Sequence, residues 1–141
     1  MTASSNTLPL TSQPSPAIAK AGASRAGVLD TIKSPADVKA LSMDDLKQLA
    51  IEVRQRIIEV IAVKGGHFGA PLGAVDIAVA LTHVYDLPAD RVVWDTGHQA
   101  YAWKILTGRN DRFETIRQRN GLAPFLRRSE SPYDAFGAGH A

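Results

Sequence analysis

Three of the four histidines directly follow a glycine, in Gly66-His67, Gly97-His98 and Gly139-His140. An imidazole donates or accepts a hydrogen bond near neutral pH, and a preceding glycine lets the backbone approach a ligand closely. Set in loops, such pairs suit the holding of a polar group and the movement of protons at it. Each alone reads first as a loop hydrogen-bonder rather than a ligand contact, and three such sites in one small chain shift that balance modestly toward function. The fourth, His83, lies in Ala80-Leu81-Thr82-His83-Val84 and reads as a core or interface residue of an apolar helix. Other chemistries drop out. The chain has no cysteine, which excludes disulfides, thiolate metal sites and cysteine nucleophiles. The histidines are too dispersed for a local zinc chelate, and neither a nucleophile elbow nor a phosphate-binding G-x-x-x-x-G-K-[ST] loop occurs.

These residues need elements to position them. Ser42 before Met43-Asp44-Asp45 reads as an N-cap followed by acidic residues in a first helical turn. Leu46, Leu49, Ala50, Val53, Ile57, Val60 and Ile61 then recur at three- and four-residue steps, so one face of that helix is buried, and Gly65-Gly66 ends it. A second helix is expected from about Gly73 to Tyr85, apolar nearly all round and therefore buried. Leu87-Pro88 breaks the chain, and Val92-Val93-Trp94 is predicted to be a short buried parallel strand. Gly97-His98 would then sit at a strand's carboxyl end and just before a helix, where ligands of open α/β sheets collect and N–H groups can meet a phosphate. Short helices are predicted near Gln99 to Thr107 and Arg112 to Gln118. Past Asn120-Gly121 the chain reads as irregular, and no internal repeat occurs.

The 141 residues, 45% of them hydrophobic, suit one soluble domain, and the net charge of +2 is too small to imply a nucleic-acid or lipid partner. No run of apolar residues approaches a membrane span. Before about Gly27 the chain is rich in Ser, Thr, Ala and Pro without a periodic apolar face, which predicts a disordered extension. A plastid transit peptide is the alternative reading there. Arg109, Arg112, Arg117, Arg119, Arg127 and Arg128 fall close together, tempered by Asp111, Glu114 and Glu130. They read as a solvated or subunit-facing surface, with a phosphate-holding role as the alternative. A nucleic-acid surface would need a continuous basic stripe and aromatic platforms, which the stretch lacks.

Gly65-Gly66-His67-Phe68-Gly69-Ala70, Asp95-Thr96-Gly97-His98-Gln99-Ala100-Tyr101 and Lys104-Ile105-Leu106-Thr107-Gly108-Arg109 follow one another in order. Thr115-Ile116-Arg117-Gln118, Glu130-Ser131 and Tyr133-Asp134 then lead to Gly139-His140. Over about residues 42 to 140 this series closely resembles the N-terminal part of the 1-deoxy-D-xylulose-5-phosphate synthases, thiamine diphosphate enzymes related to transketolase. Pro71 is more typical of transketolase, and Ala102-Trp103 replaces the usual Pro-His, while the family's Ser-Ser-Thr after Gly-His is not matched by Ala141.

The resemblance implies an α/β fold: the N-terminal portion of a thiamine diphosphate-binding parallel-sheet domain, incomplete and helix-rich as given. Residues 1–41 would be a disordered extension and linker, and 42–141 the truncated cofactor domain. It also implies condensation of pyruvate with glyceraldehyde 3-phosphate, with loss of carbon dioxide, by a homodimer in a bacterial cytoplasm, with a plastid as the alternative setting. No nucleic-acid or membrane partner is implied. His67 matches an active-site histidine, and His98, Gly139 and His140 match cofactor-binding positions. The motif that carries Mg2+ would lie beyond the chain, so no metal ligand is assigned, and the isolated chain is expected to be inactive. A transketolase fragment and a non-catalytic interaction module are the alternatives, and an arginine-rich nucleic-acid binder stands last.

Overall fold

The computed structural model describes residues 27–137 and residue 139. The residues before Gly27, where an extension or transit peptide is expected, lie outside this range. Helix α1 spans Val28–Thr31, α2 Pro35–Lys39 and α3 Met43–Lys64. Then come α4 at Gly69–Gly73, α5 at Val75–Val84 and α6 at Ala100–Lys104. Short 3-10 turns at Gly97–Gln99 and Phe113–Thr115, with a wide turn at Ile105–Arg109, complete the regular structure among the described residues.

Helix α3 forms as its sequence dictates. The Ser42 hydroxyl accepts from the Asp45 amide at 3.2 Å, Asp44 and Asp45 occupy the positive end of the helix dipole, and Lys64 occupies the negative end. The same seven apolar residues picked out by periodicity are its buried ones. Ser42→Ala should lower stability by about 1 kcal/mol. The check is the midpoint of urea unfolding, at unchanged slope.

The core begins at Leu29, ahead of the boundary expected at residue 42. Leu29, Ile32 and Val38 join α3 in the main hydrophobic cluster, although they are too few to make a readable period. Side-chain bonds reinforce the packing. The Leu29 amide donates to Glu52 of α3 at 2.7 Å. In α2, Asp37 accepts from the Lys33 and Ser34 amides and the Ser34 hydroxyl, which holds its carboxyl below the usual value.

Helix α5 departs from expectation. Val75, Ala78, Val79 and Thr82 are buried, but Ile77 and Val84 are exposed, so only one face is covered. His83 is half-buried and donates from Nδ1 to the Val38 carbonyl at 3.1 Å, a tie between α5 and α2.

No strand occurs among the described residues, and Val92-Val93-Trp94 has no regular structure. A strand needs a neighbour for its N–H and C=O groups, and no described segment pairs with this one. Val92 and Trp94 instead pack on a smaller cluster of Ala100, Trp103 and Leu126. Helix α6 continues into a wide turn at Ile105–Arg109 that kinks at Thr107 and Gly108. The helix expected over Arg112 to Gln118 shrinks to one turn, because Thr115 Oγ1 and the Leu122 carbonyl capture the Leu122 and Arg117 amides in a loop closure. No described helix is long and apolar enough to cross a membrane.

Candidate functional site

Beyond α3, Gly65 and Gly66 take φ of 76° and 154°, a path open to glycine but rarely to other residues, and deliver His67 to the start of α4. His98 sits in the 3-10 turn just before α6 and is buried. The two rings meet with centroids 3.7 Å apart, tilted by 39°. Phe125, from a distant loop, lies edge-on to His98 at 5.0 Å. The Gly97 amide donates to the Gly139 carbonyl at 2.7 Å. Histidines 31 positions apart and the glycine of the third pair are thus gathered in one place. His140 itself lies outside the described residues.

Gly97 has no room for a side chain. A Cβ there would lie 2.2 Å from the Gly139 carbonyl oxygen and 2.4 Å from the Phe125 ring. The expectation that this turn offers free amides to a phosphate is corrected in two particulars. The Gly97 amide is taken by Gly139, and the Gln99 amide by the Thr96 carbonyl at 3.0 Å. The site's polar side chains include the imidazoles of His67 and His98.

Those side chains surround a cleft of about 630 Å³, lined by His67, His98, residues 117–125 and Arg127. Arg117, Arg119 and Arg127 bring cationic groups to it, and among the described residues no carboxylate lines it. The volume is that of a small-molecule site, and guanidinium groups pair readily with phosphate oxygens. Arg117 and Asn120 both have φ above 60°, so the loop turns sharply on itself as it forms the wall.

The arginine stretch, expected as a solvated or subunit-facing surface with a phosphate-holding role as the alternative, therefore divides. Arg117, Arg119 and Arg127 face the cleft, whereas Arg109 is buried and makes two 2.8 Å bonds to Asp134. Beside it Lys104, fully buried, donates to Glu130 at 2.5 Å. Burial pushes the Lys104 ammonium below its ordinary value, and the hydrogen bond to Glu130 opposes that push. The Tyr101 hydroxyl is also buried, with no hydrogen bond among the described residues, and it faces the backbone at Gly66. Among the described residues no group of three His, Asp or Glu side chains could hold a metal ion.

Sequence reasoning gave Arg117, Arg119 and Arg127 a phosphate-holding role only as an alternative, and it overlooked the rest of the wall, Phe125 in particular. The Asn120-Gly121 turn was the available signal: it marks a tight reversal between two arginine-bearing segments.

The family model described as 1-deoxy-D-xylulose-5-phosphate synthase matches residues 29–141. Among curated proteins, 1-deoxy-D-xylulose-5-phosphate synthases from Anaeromyxobacter sp. strain Fw109-5, Chlorobaculum tepidum and Dehalococcoides mccartyi strain BAV1 are 57%, 55% and 49% identical to it. Each match runs over 114 residues, which is 81% of this chain and 18% of the relative's length. The chain thus spans about a fifth of the curated relatives it matches. With its paired histidines and its Gly97–Gly139 contact, the chain belongs to the 1-deoxy-D-xylulose-5-phosphate synthase family and corresponds to the N-terminal part of those enzymes.

Proposed function

We propose that this chain is the first part of a thiamine diphosphate-dependent synthase that joins the two-carbon unit of pyruvate to glyceraldehyde 3-phosphate with release of carbon dioxide. The observation that carries the reading is the contact of His67 and His98 in the lining of a cleft that also holds Arg117, Arg119 and Arg127. The donor set suits the group: imidazoles and guanidiniums complement a diphosphate, and the cleft is of small-molecule size. When bound, the cofactor supplies a thiazolium carbanion that acts as nucleophile and electron sink.

The chain's own residues have separable tasks. His67, exposed at the cleft, holds or moves a proton beside the reacting atoms. His98, buried and flanked by Phe125, orients the cofactor and offsets phosphate charge. Gly139 and His140, which match cofactor-binding positions of the family, are assigned to the same cofactor. Mg2+ would be held by residues outside this chain. In the same reading, residues 42–141 and the short helices ahead of them belong to an α/β domain whose parallel sheet is completed by later sequence. The whole enzyme is a homodimer in a bacterial cytoplasm.

A chimera tests this, with residues 29–141 replacing the matching segment of the Chlorobaculum tepidum enzyme. The chimera should consume pyruvate in the presence of glyceraldehyde 3-phosphate. His67→Ala should slow turnover about 10²–10⁴-fold, the range of a lost proton-transfer group, with cofactor affinity little changed. His98→Ala should weaken cofactor binding instead. The isolated chain should show no turnover and at most weak binding by calorimetry. Full activity in the His67→Ala chimera would sink the assignment.

A further inference from the structure

The four buried charges behind the cleft do more than satisfy one another. Glu130 divides its two oxygens between tasks. Oε2 accepts from Lys104 at 2.5 Å and from Arg109 at 3.4 Å, whereas Oε1 accepts from the Ala123 amide at 2.6 Å. Asp134 does likewise. It receives the Arg109 fork at 2.8 Å on each oxygen, and its Oδ2 also accepts from the Arg127 amide at 2.9 Å. The two captured amides, at 123 and 127, stand two residues before and two after Phe125. Phe125 is the residue that meets His98 edge-on and closes over Gly97 and Gly139.

The cations are equally anchored. Lys104 ends α6 and Arg109 ends the wide turn that follows, so both belong to the helical core. Thr107 Oγ1 accepts from the second Arg109 nitrogen at 2.8 Å and donates to the Trp103 carbonyl at 2.6 Å, which fixes the fork. The chain of contacts therefore runs from core cation to buried carboxylate, to loop amide, to Phe125, to His98.

We propose that Glu130 and Asp134 are positioning residues of the cleft, holding the Ala123–Arg127 loop to Lys104 and Arg109 so that Phe125 fixes the His98 ring. The consequence for ligand binding rests on the cleft being the cofactor site. The positioning does not depend on it.

Two pairs of variants separate this from a merely structural role. In Lys104→Met/Glu130→Gln the Lys104–Glu130 charge pair is gone while Arg109 and Asp134 remain, and an amide oxygen remains for the Ala123 N–H. In Lys104→Met/Glu130→Leu that acceptor is lost as well. The first readout is the His98 ring proton resonances in the 141-residue chain, which sense the edge-on Phe125 ring. The Gln variant should keep wild-type His98 resonances, and the Leu variant should shift them even where both melt at similar temperatures. Glu130→Ala should shift them too if it folds, and the double variants decide the matter if it does not. Wild-type resonances in the Leu variant, or equal shifts in both, would overturn the proposal. The second readout is thiamine diphosphate affinity in the chimera, expected to be about tenfold weaker for Leu than for Gln, or 1.4 kcal/mol. Shifted resonances with equal affinities would leave the positioning intact and refute the cofactor reading of the cleft.

Discussion

Asp134→Ala is expected to lower folding stability by about 3 kcal/mol, because it strips a buried guanidinium of its two-bonded carboxylate and leaves it only the 3.4 Å contact to Glu130. Arg109 and Asp134 are both buried, and two parallel 2.8 Å bonds join them. The loss has two parts. The Arg109 fork loses its carboxylate, and the Arg127 amide loses its acceptor. An exposed pair gives the contrast. Arg56 and Glu114 meet at 3.2 Å with Glu114 largely in solvent, so Glu114→Ala should change stability by less than about 1 kcal/mol. Urea unfolding of both variants at one salt concentration measures the difference. Equal small effects would mean that water reaches the Arg109 head group, contrary to its burial.

Gly97→Ala is expected to disrupt the site more than its size suggests. The added methyl would meet a carbonyl oxygen at 2.2 Å and an aromatic ring at 2.4 Å, and neither is the end of a flexible side chain. The Gly97–Gly139 bond and the Phe125 ring must both move. Overpacking of this kind typically costs about 1–3 kcal/mol of stability. The functional loss should be greater: cofactor affinity of the chimera is expected to fall more than about tenfold. Gly69→Ala serves as the control. An added Cβ there meets nothing within 4 Å, and alanine in α4 should leave stability equal or raise it by about 0.4–1 kcal/mol. A Gly97→Ala protein with wild-type affinity would show that the Gly97–Gly139 contact is incidental.

What the sequence disclosed follows the range over which each interaction acts. Helix α3 was legible in every buried residue, because a 22-residue amphipathic helix repeats its signal several times. The three glycine–histidine pairs tilted the reading toward function, and the structure brings His67, His98 and Gly139 together. The segment Val92-Val93-Trp94 carries a strand's residue types but not a strand's partner, and composition cannot supply a neighbour. Helix α5 looked buried all round because its residues are apolar, whereas exposure depends on what packs against each face. The ion cluster left no local trace. Lys104–Glu130 and Arg109–Asp134 join residues 26 and 25 positions apart, so Arg109 read as part of a surface stretch and Lys104 carried no sign of burial. Phe125, in the wall of the cleft, was hidden for the same reason.

Lys104 carries a consequence for chemical labelling. Its amine is wholly shielded, whereas Lys47 on α3 stands largely in solvent. Acylating reagents require an accessible, unprotonated amine, so Lys47 should react at once while Lys104 waits for the 123–134 loop to lift away. The slow rate at Lys104 becomes a clock for loop opening. A ligand that seals the cleft would slow that clock without touching the lysine, and one residue then reports occupancy from behind the wall.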